Sequence, residues 1–259
     1  MIRFIKNLLY LLSGKACVPQ SVRQHELLAC IIDRRSCRSF TDEEISPDAV
    51  TTVLEAGRFA PSAVNLQTWS FITFSRAEWR KTFERPIPFN GAYAIMICAD
   101  IFKLKDLFPE MHDTPYVNIM LAVFNAGLAA MNMTIAAEAL GLRSIFLSET
   151  GRTGLLDIDF LRDRLSLPNG VLPLTTLVLG KPSFSVPGIP PRQPWDAVVM
   201  QNRYEKTAGD RLRNWYDQML LGFKITHPFS NLKAQLAMYR AKMAIAEKTL
   251  RKIFHDCSL

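Results

Sequence analysis

The sequence has little of what builds metal centres or covalent frameworks. Its five cysteines, Cys17, Cys30, Cys37, Cys98 and Cys257, show no metal-ligand spacing, and their odd number argues against a disulfide framework. A reducing cytoplasm fits this usage. Four histidines, His25, His112, His227 and His255, stand far apart without companion ligands, so no metal is expected and each reads as a surface or packing residue. The chain has no G-x-G-x-x-G run and no P-loop, which excludes a separate dinucleotide-binding domain by those signals. Acyl-transfer chemistry is unsupported as well, because no motif links Ser36 or Ser62 to a histidine. Internal repeats and low-complexity tracts are missing too.

What is present is 259 residues, 49% of them hydrophobic, enough to bury a sizeable core near the upper size of one domain. The net charge of +7 is unevenly placed. Residues 1–24 carry four basic and no acidic side chains, residues 203–259 eleven basic and five acidic, and the stretch between them sixteen basic and nineteen acidic. The body is therefore mildly acidic, and the basic character belongs to the ends. Residues 1–12 pair a basic start with an apolar run too short to span a bilayer. Lys15 sits where a processing site wants small residues, so export is disfavoured. An interfacial amphipathic helix, or one packed on a partner subunit, is expected instead.

Helical spacing of Leu27, Leu28, Ile31 and Ile32 predicts a helix over 22–33. Ser46, Pro47 and Asp48 read as N-cap, N1 and first-turn acid of a second helix, running to about Phe59. Strands are predicted over 69–74, 92–99, 143–147 and 172–179, with a helix over 159–165. Residues 117–140 form the longest helical pattern and are almost without charge, so this helix is expected to be buried nearly all round, as a core or dimer seam. The proline-rich 186–194 stretch should run extended and present Arg192. Leu232, Leu236, Tyr239, Met243, Ala246, Leu250 and Ile253 repeat every seven residues. That helix is expected to dock on its own domain, to seam an oligomer, or to lie on anionic lipid.

Two stretches carry chemistry. Arg34-Arg35-Ser36-Cys37-Arg38 crowds three guanidiniums and a hydroxyl past a helix end, which suits a phosphorylated, polar ligand but also a solvated C-terminal turn. About one helix downstream stands Ala60-Pro61-Ser62-Ala63-Val64-Asn65-Leu66-Gln67-Thr68-Trp69. Together they resemble the FMN-dependent nitroreductase family, whose superfamily also includes the flavin-containing iodotyrosine deiodinases. The resemblance covers roughly residues 25–205 and is most specific in these two stretches.

The resemblance implies an α+β fold in which helices flank a central, mostly antiparallel sheet, with a long buried core helix. It further implies a homodimer, here with extended helical ends: a basic amphipathic extension at 1–24, a flavin domain at 25–205 and a basic helical extension at 206–259. By the same resemblance Arg34, Arg35, Ser36 and Arg38 would contact FMN from one subunit, with Arg38 near the N1 and C2 oxygen edge of the ring. Pro61, Ser62, Ala63 and Asn65 would come from the other subunit, Arg192 would return to the phosphate, and Leu147 and Ser148 would meet the ring. Hydride from NADH or NADPH would pass through flavin N5 to a small electrophile such as a nitroaromatic or quinone, in ping-pong order, with no side chain acting as nucleophile. Thr68 departs from the family's proline, Asn125 from its aspartate on the core helix, and Arg143 from a glycine after that helix. The expected partners are a small-molecule substrate and a second copy of the chain, without nucleic acid. An alternative is a non-catalytic or dehalogenase-like flavin protein whose basic ends dock on a membrane or protein partner.

Overall fold

The computed structural model describes residues 18, 20–108, 114–147, 152–184, 190–206, 209–226 and 229–256. The basic N-terminal run, Ser148 and the 185–189 part of the proline-rich stretch lie outside the described residues. The chain divides into two units, one of residues 25–186 with 241–259, the other of 1–24 with 187–240.

The first unit is built on four strands, β1 (Trp69–Ser75), β2 (Tyr93–Asp100), β3 (Arg143–Leu147) and β4 (Val171–Gly180). They pair antiparallel throughout, in the order β1-β2-β4-β3. β2 is covered on both faces, which explains its unbroken apolar run. Alternation sends Ala94, Met96 and Cys98 toward Trp79 and Phe83 on one side. Ile95 and Ile97 go toward Ala126, Ala129 and Met133 on the other.

Helix α1 (Glu26–Asp33) is shorter than the periodicity predicts, because the chain breaks at residues 24–25 after a one-turn helix at Gln20–Arg23. Helix α2 (Pro47–Arg58) starts as expected, with the Ser46 hydroxyl accepting from the Ala49 N–H at 3.3 Å. Helix α3 (Arg76–Phe83) occupies the connection between the first two strands, to which the sequence analysis assigned no element. Its Ser75 and Glu78 form a capping box, and its fully buried Trp79 packs edge-on to Phe74.

Helix α4 (Pro115–Ala139) is the core helix, and here the expectation of burial nearly all round is corrected. Ala122, Ala126, Ala129 and Met133 face the sheet and α2, but Tyr116, Val117, Met120, Leu121, Val123 and Phe124 are exposed. The reason is size: small side chains let the backbone approach the sheet, and the large ones in the first half project from the opposite face. Helix α5 (Ile158–Leu165) covers the other side of the sheet through Leu161.

Helix α7 (Leu232–Asp256) closes the chain. Its last part docks on the first unit: Ile253 packs with Ile119, Ile158 and Leu172, and Thr249 Oγ1 donates to Asp159 Oδ2 at 2.5 Å. The seven-residue seam is only partly followed, since Ala246 and Ile253 are buried while Leu236 and Met243 stay half exposed. Of the three readings open for this helix, docking on its own domain is the one its last part adopts. The second unit contains helix α6 (Gly209–Thr226). Its Trp215 Nε1 donates to the Pro191 carbonyl at 3.1 Å.

Candidate functional site

Residues 34–41 leave α1 in extended conformation and run onto the sheet margin. Ser36 bridges Ser144 of β3 in parallel sense, and the Cys37 N–H donates to the Ser144 carbonyl at 3.0 Å. Phe40 pairs with Pro182, and its N–H donates to the Phe89 carbonyl at 3.1 Å. The Phe40 ring lies over Gly180, where a Cβ would come within 2.6 Å of Cδ1, so only glycine admits it. Cys37 and Phe40 are thus buried anchors, and Arg38 between them is left exposed.

The three arginines differ in what they hold. Arg35 is largely buried and turns back, with Nη1 donating to the Ile32 and Arg34 carbonyls at 2.9 Å each. It neutralises the carbonyl end of α1. Neither Arg34 nor Arg38 donates a side-chain hydrogen bond to a described residue, and Arg38 is exposed. Two guanidiniums on a pinned segment are a fitting donor set for a phosphate dianion.

Behind this segment lies a group that sequence reasoning passed over. Glu138 ends α4 almost without exposure, bonded to Arg143 and within the field of Arg34 and Arg35. Burial pushes its carboxyl above the ordinary glutamate value, against the pull of Arg143 and then Arg34. The same surroundings, burial first and then Glu138, raise the Cys30 thiol. The pairing depends on a turn: Gly141, at φ +71, lets its N–H reach the Glu138 carbonyl and that of Leu142 reach Ala137, a Schellman ending that feeds Arg143 into β3.

The second stretch follows α2 as a loop of unusual backbone. Val64, Asn65 and Gln67 have φ of 52°, 56° and 49°. Asparagine tolerates the left-handed region, whereas a β-branched valine there is an outlier. Val64 is nearly fully exposed, as is most of Phe59. The Ser62 hydroxyl accepts from the Gln67 N–H at 3.0 Å, and its carbonyl accepts from the Asn65 N–H at 3.0 Å. Asn125 of α4 reaches up, its Oδ1 accepting from the Ala63 N–H at 3.1 Å and its Nδ2 donating to Thr68 Oγ1 at 2.9 Å.

The structure therefore joins residues 34–38 to β3, at whose end Leu147 is buried, and ties the loop that carries Pro61, Ser62, Ala63 and Asn65 to the core helix through the bond from Ala63 to Asn125. Arg192 belongs to the other unit, where it is exposed next to the buried Pro191.

An antiparallel four-stranded sheet over one long core helix, with a cationic segment stitched to its margin, defines an α+β scaffold with a basic edge. Residues 31–88, which contain both stretches, match the model of the nitroreductase family. A protein of Archaeoglobus fulgidus named as a candidate NADH dehydrogenase/NAD(P)H nitroreductase is 32% identical over 163 residues, covering 61% of this chain and 86% of that protein. The FMN reductase (NADPH) of Bacillus subtilis is 27% identical over 224 residues, covering 73% and 88%. Among solved structures, a nitroreductase from B. subtilis superposes with a TM-score of 0.72 at 22% identity, covering 88% of this chain and 98% of the other, a likeness of fold. The chain belongs to the nitroreductase family.

Proposed function

We propose that this protein is an FMN-dependent oxidoreductase that takes reducing equivalents from NAD(P)H and delivers them to a small electrophilic acceptor, such as a nitroaromatic or a quinone. The observation that carries this reading is the 34–38 segment, held on β3 with no side-chain hydrogen bond from Arg34 or Arg38 to a described residue, in a family whose relatives include one named FMN reductase (NADPH) and one named NAD(P)H nitroreductase. Bound FMN would supply the hydride chemistry, accepting at its ring and passing on to the second substrate. The chain's own residues have other work. Arg34, with Arg192, is assigned to the phosphate, and Arg38 to the electron-rich edge of the ring. Ser36 has a free hydroxyl for the ribityl chain or pyrimidine edge, while Leu147 and Ser148 are assigned to the ring. Arg35 contributes field rather than a free fork, because its donors are spent on α1. Pro61, Ser62, Ala63 and Asn65 are assigned to the flavin of the other subunit in a cytoplasmic homodimer. The exposed apolar face of α4 supports that dimer. The names of the relatives favour an enzyme over a non-catalytic flavin protein, and nothing in them points to a membrane.

The test is anaerobic titration of the FMN-loaded protein with NADH and NADPH, followed by a panel of acceptors. Bleaching of the flavin band and its recovery on adding acceptor is the expected result. Protein that takes up no FMN, or flavin that neither nucleotide bleaches, would overturn the reading. Arg34→Ala and Arg192→Ala should each weaken FMN binding roughly ten- to a hundredfold, the worth of one charge-assisted hydrogen bond. Unchanged occupancy in both would remove the phosphate assignment.

A further inference from the structure

Thr68 and Asn125 are far apart in sequence but bonded to each other. We propose that Asn125 and Thr68 form one positioning unit, which holds the 62–67 loop in the backbone shape that meets the flavin. The inference rests on the flavin reading of that loop given above.

The loop needs such a unit because its conformation is costly. Val64, Asn65 and Gln67 all lie in the left-handed region, which residues other than glycine occupy only when their surroundings impose it. Asn125 grips both ends of this stretch: Ala63 immediately precedes Val64, and Thr68 immediately follows Gln67. Between the two grips, the bond from the Gln67 N–H to Ser62 Oγ closes the loop on itself. Asn125 and Thr68 are 1% and 3% exposed, so water does not replace the bond between them when it is lost.

Donor and acceptor types tie the two residues to each other. The Ala63 N–H demands an acceptor and fixes the carbonyl oxygen of the Asn125 amide toward itself. The NH2 group is then directed at residue 68, where proline offers no side-chain acceptor and threonine does. An aspartate at 125 carries no such hydrogen and needs nothing from residue 68. Asparagine at 125 therefore requires threonine at 68, or a buried amide donor is left unpaired. The unit does not touch the flavin itself; it acts through the loop backbone.

The test measures the FMN dissociation constant by fluorescence quenching, and the melting temperature of the flavin-free protein, in wild type and three variants. Thr68→Val removes only the hydroxyl, Asn125→Leu removes both bonds, and Asn125→Asp keeps the acceptor for Ala63 while accepting from the Thr68 hydroxyl. The dissociation constant should rise roughly tenfold in Thr68→Val and further in Asn125→Leu, one and two lost hydrogen bonds, while Asn125→Asp stays within about threefold of wild type. A merely structural role would lower the flavin-free melting temperature and leave the dissociation constant unchanged. Folded Thr68→Val that binds FMN like wild type overturns the positioning role. Asn125→Asp as weak as Asn125→Leu overturns the pairing. Wild type that binds no FMN overturns the flavin reading, and the inference with it.

Discussion

Glu138 shows how much one buried carboxyl can set. It ends α4, where the carbonyls already make the field negative, and it is nearly out of water, so its acid form is favoured in the fold. A raised folded value means the native state holds a proton that the unfolded chain has released. Its stabilising contribution is complete below the ordinary glutamate value of 4.5 and is lost as pH rises through the raised value. Glu138→Gln keeps the volume and an acceptor for Arg143 but removes this titration. The difference in melting temperature between wild type and variant should therefore shift in the variant's favour as pH rises above 4.5, read by calorimetry across the acid to neutral range. Parallel curves would show that Arg143 compensates the carboxylate fully. The sequence displays Glu138 and Arg143 five positions apart, yet their pairing was not legible. It depends on the left-handed turn at Gly141, which brings residues on opposite sides of a helix end together.

Among the elements, the contact of α2 with α4 is the tightest to test. A Cβ at Gly57 would lie 2.3 Å from Met133 Cε and 2.8 Å from Cγ. Met133 is fully buried, so it has no open side to which it can retreat. Gly57 lies in the last turn of α2, so alanine there would gain less than the roughly 1 kcal/mol of propensity it has over glycine in a helix interior. Overpacking of a closed core costs about 1–3 kcal/mol and, with Cγ as well as the flexible Cε in the way, it prevails. Gly57→Ala is accordingly expected to lower the urea midpoint, and a raised midpoint would show that α4 can slide. Much at this scale was written in the sequence. The apolar runs of β2 and β4 and the Ser46-Pro47 start of α2 fall where period and capping chemistry place them. Helix α3 was missed although Ser75 and Glu78 stand at capping-box spacing, because its eight residues offer too few turns for a strong period. The loop after α2 was legible as a motif, but its three left-handed residues were not. Valine gives no hint of positive φ, and only the bonds to Asn125 and Ser62 show what holds it.

For the whole molecule, the outward face of α4 is the surface on which the proposed dimer can be tested. Met120 and Phe124 are 71% and 62% exposed, one turn apart, with Tyr116 and Val117 a turn earlier. If this face is the dimer seam, Phe124→Asp places a charge in its middle. Light scattering behind a sizing column should then show wild type at twice the chain mass and the variant moved toward one. A dimeric variant would locate the seam elsewhere. The segregation of charge along the chain suggested removable ends, but α7 qualifies that picture. Ile253, with Leu250 beside it, completes an apolar cluster with Ala99, Ile101, Ile119, Ala122, Ile158 and Leu172, the last of which is made roughly 80 residues earlier. At about 5–20 residues per second, the ribosome needs on the order of 4–16 s to supply them. Throughout that interval the nascent sheet is already pairable while one flank of its core stays wet. Synthesis of α7 is thus the event that dries this flank, and until then a chaperone would have an apolar surface to hold.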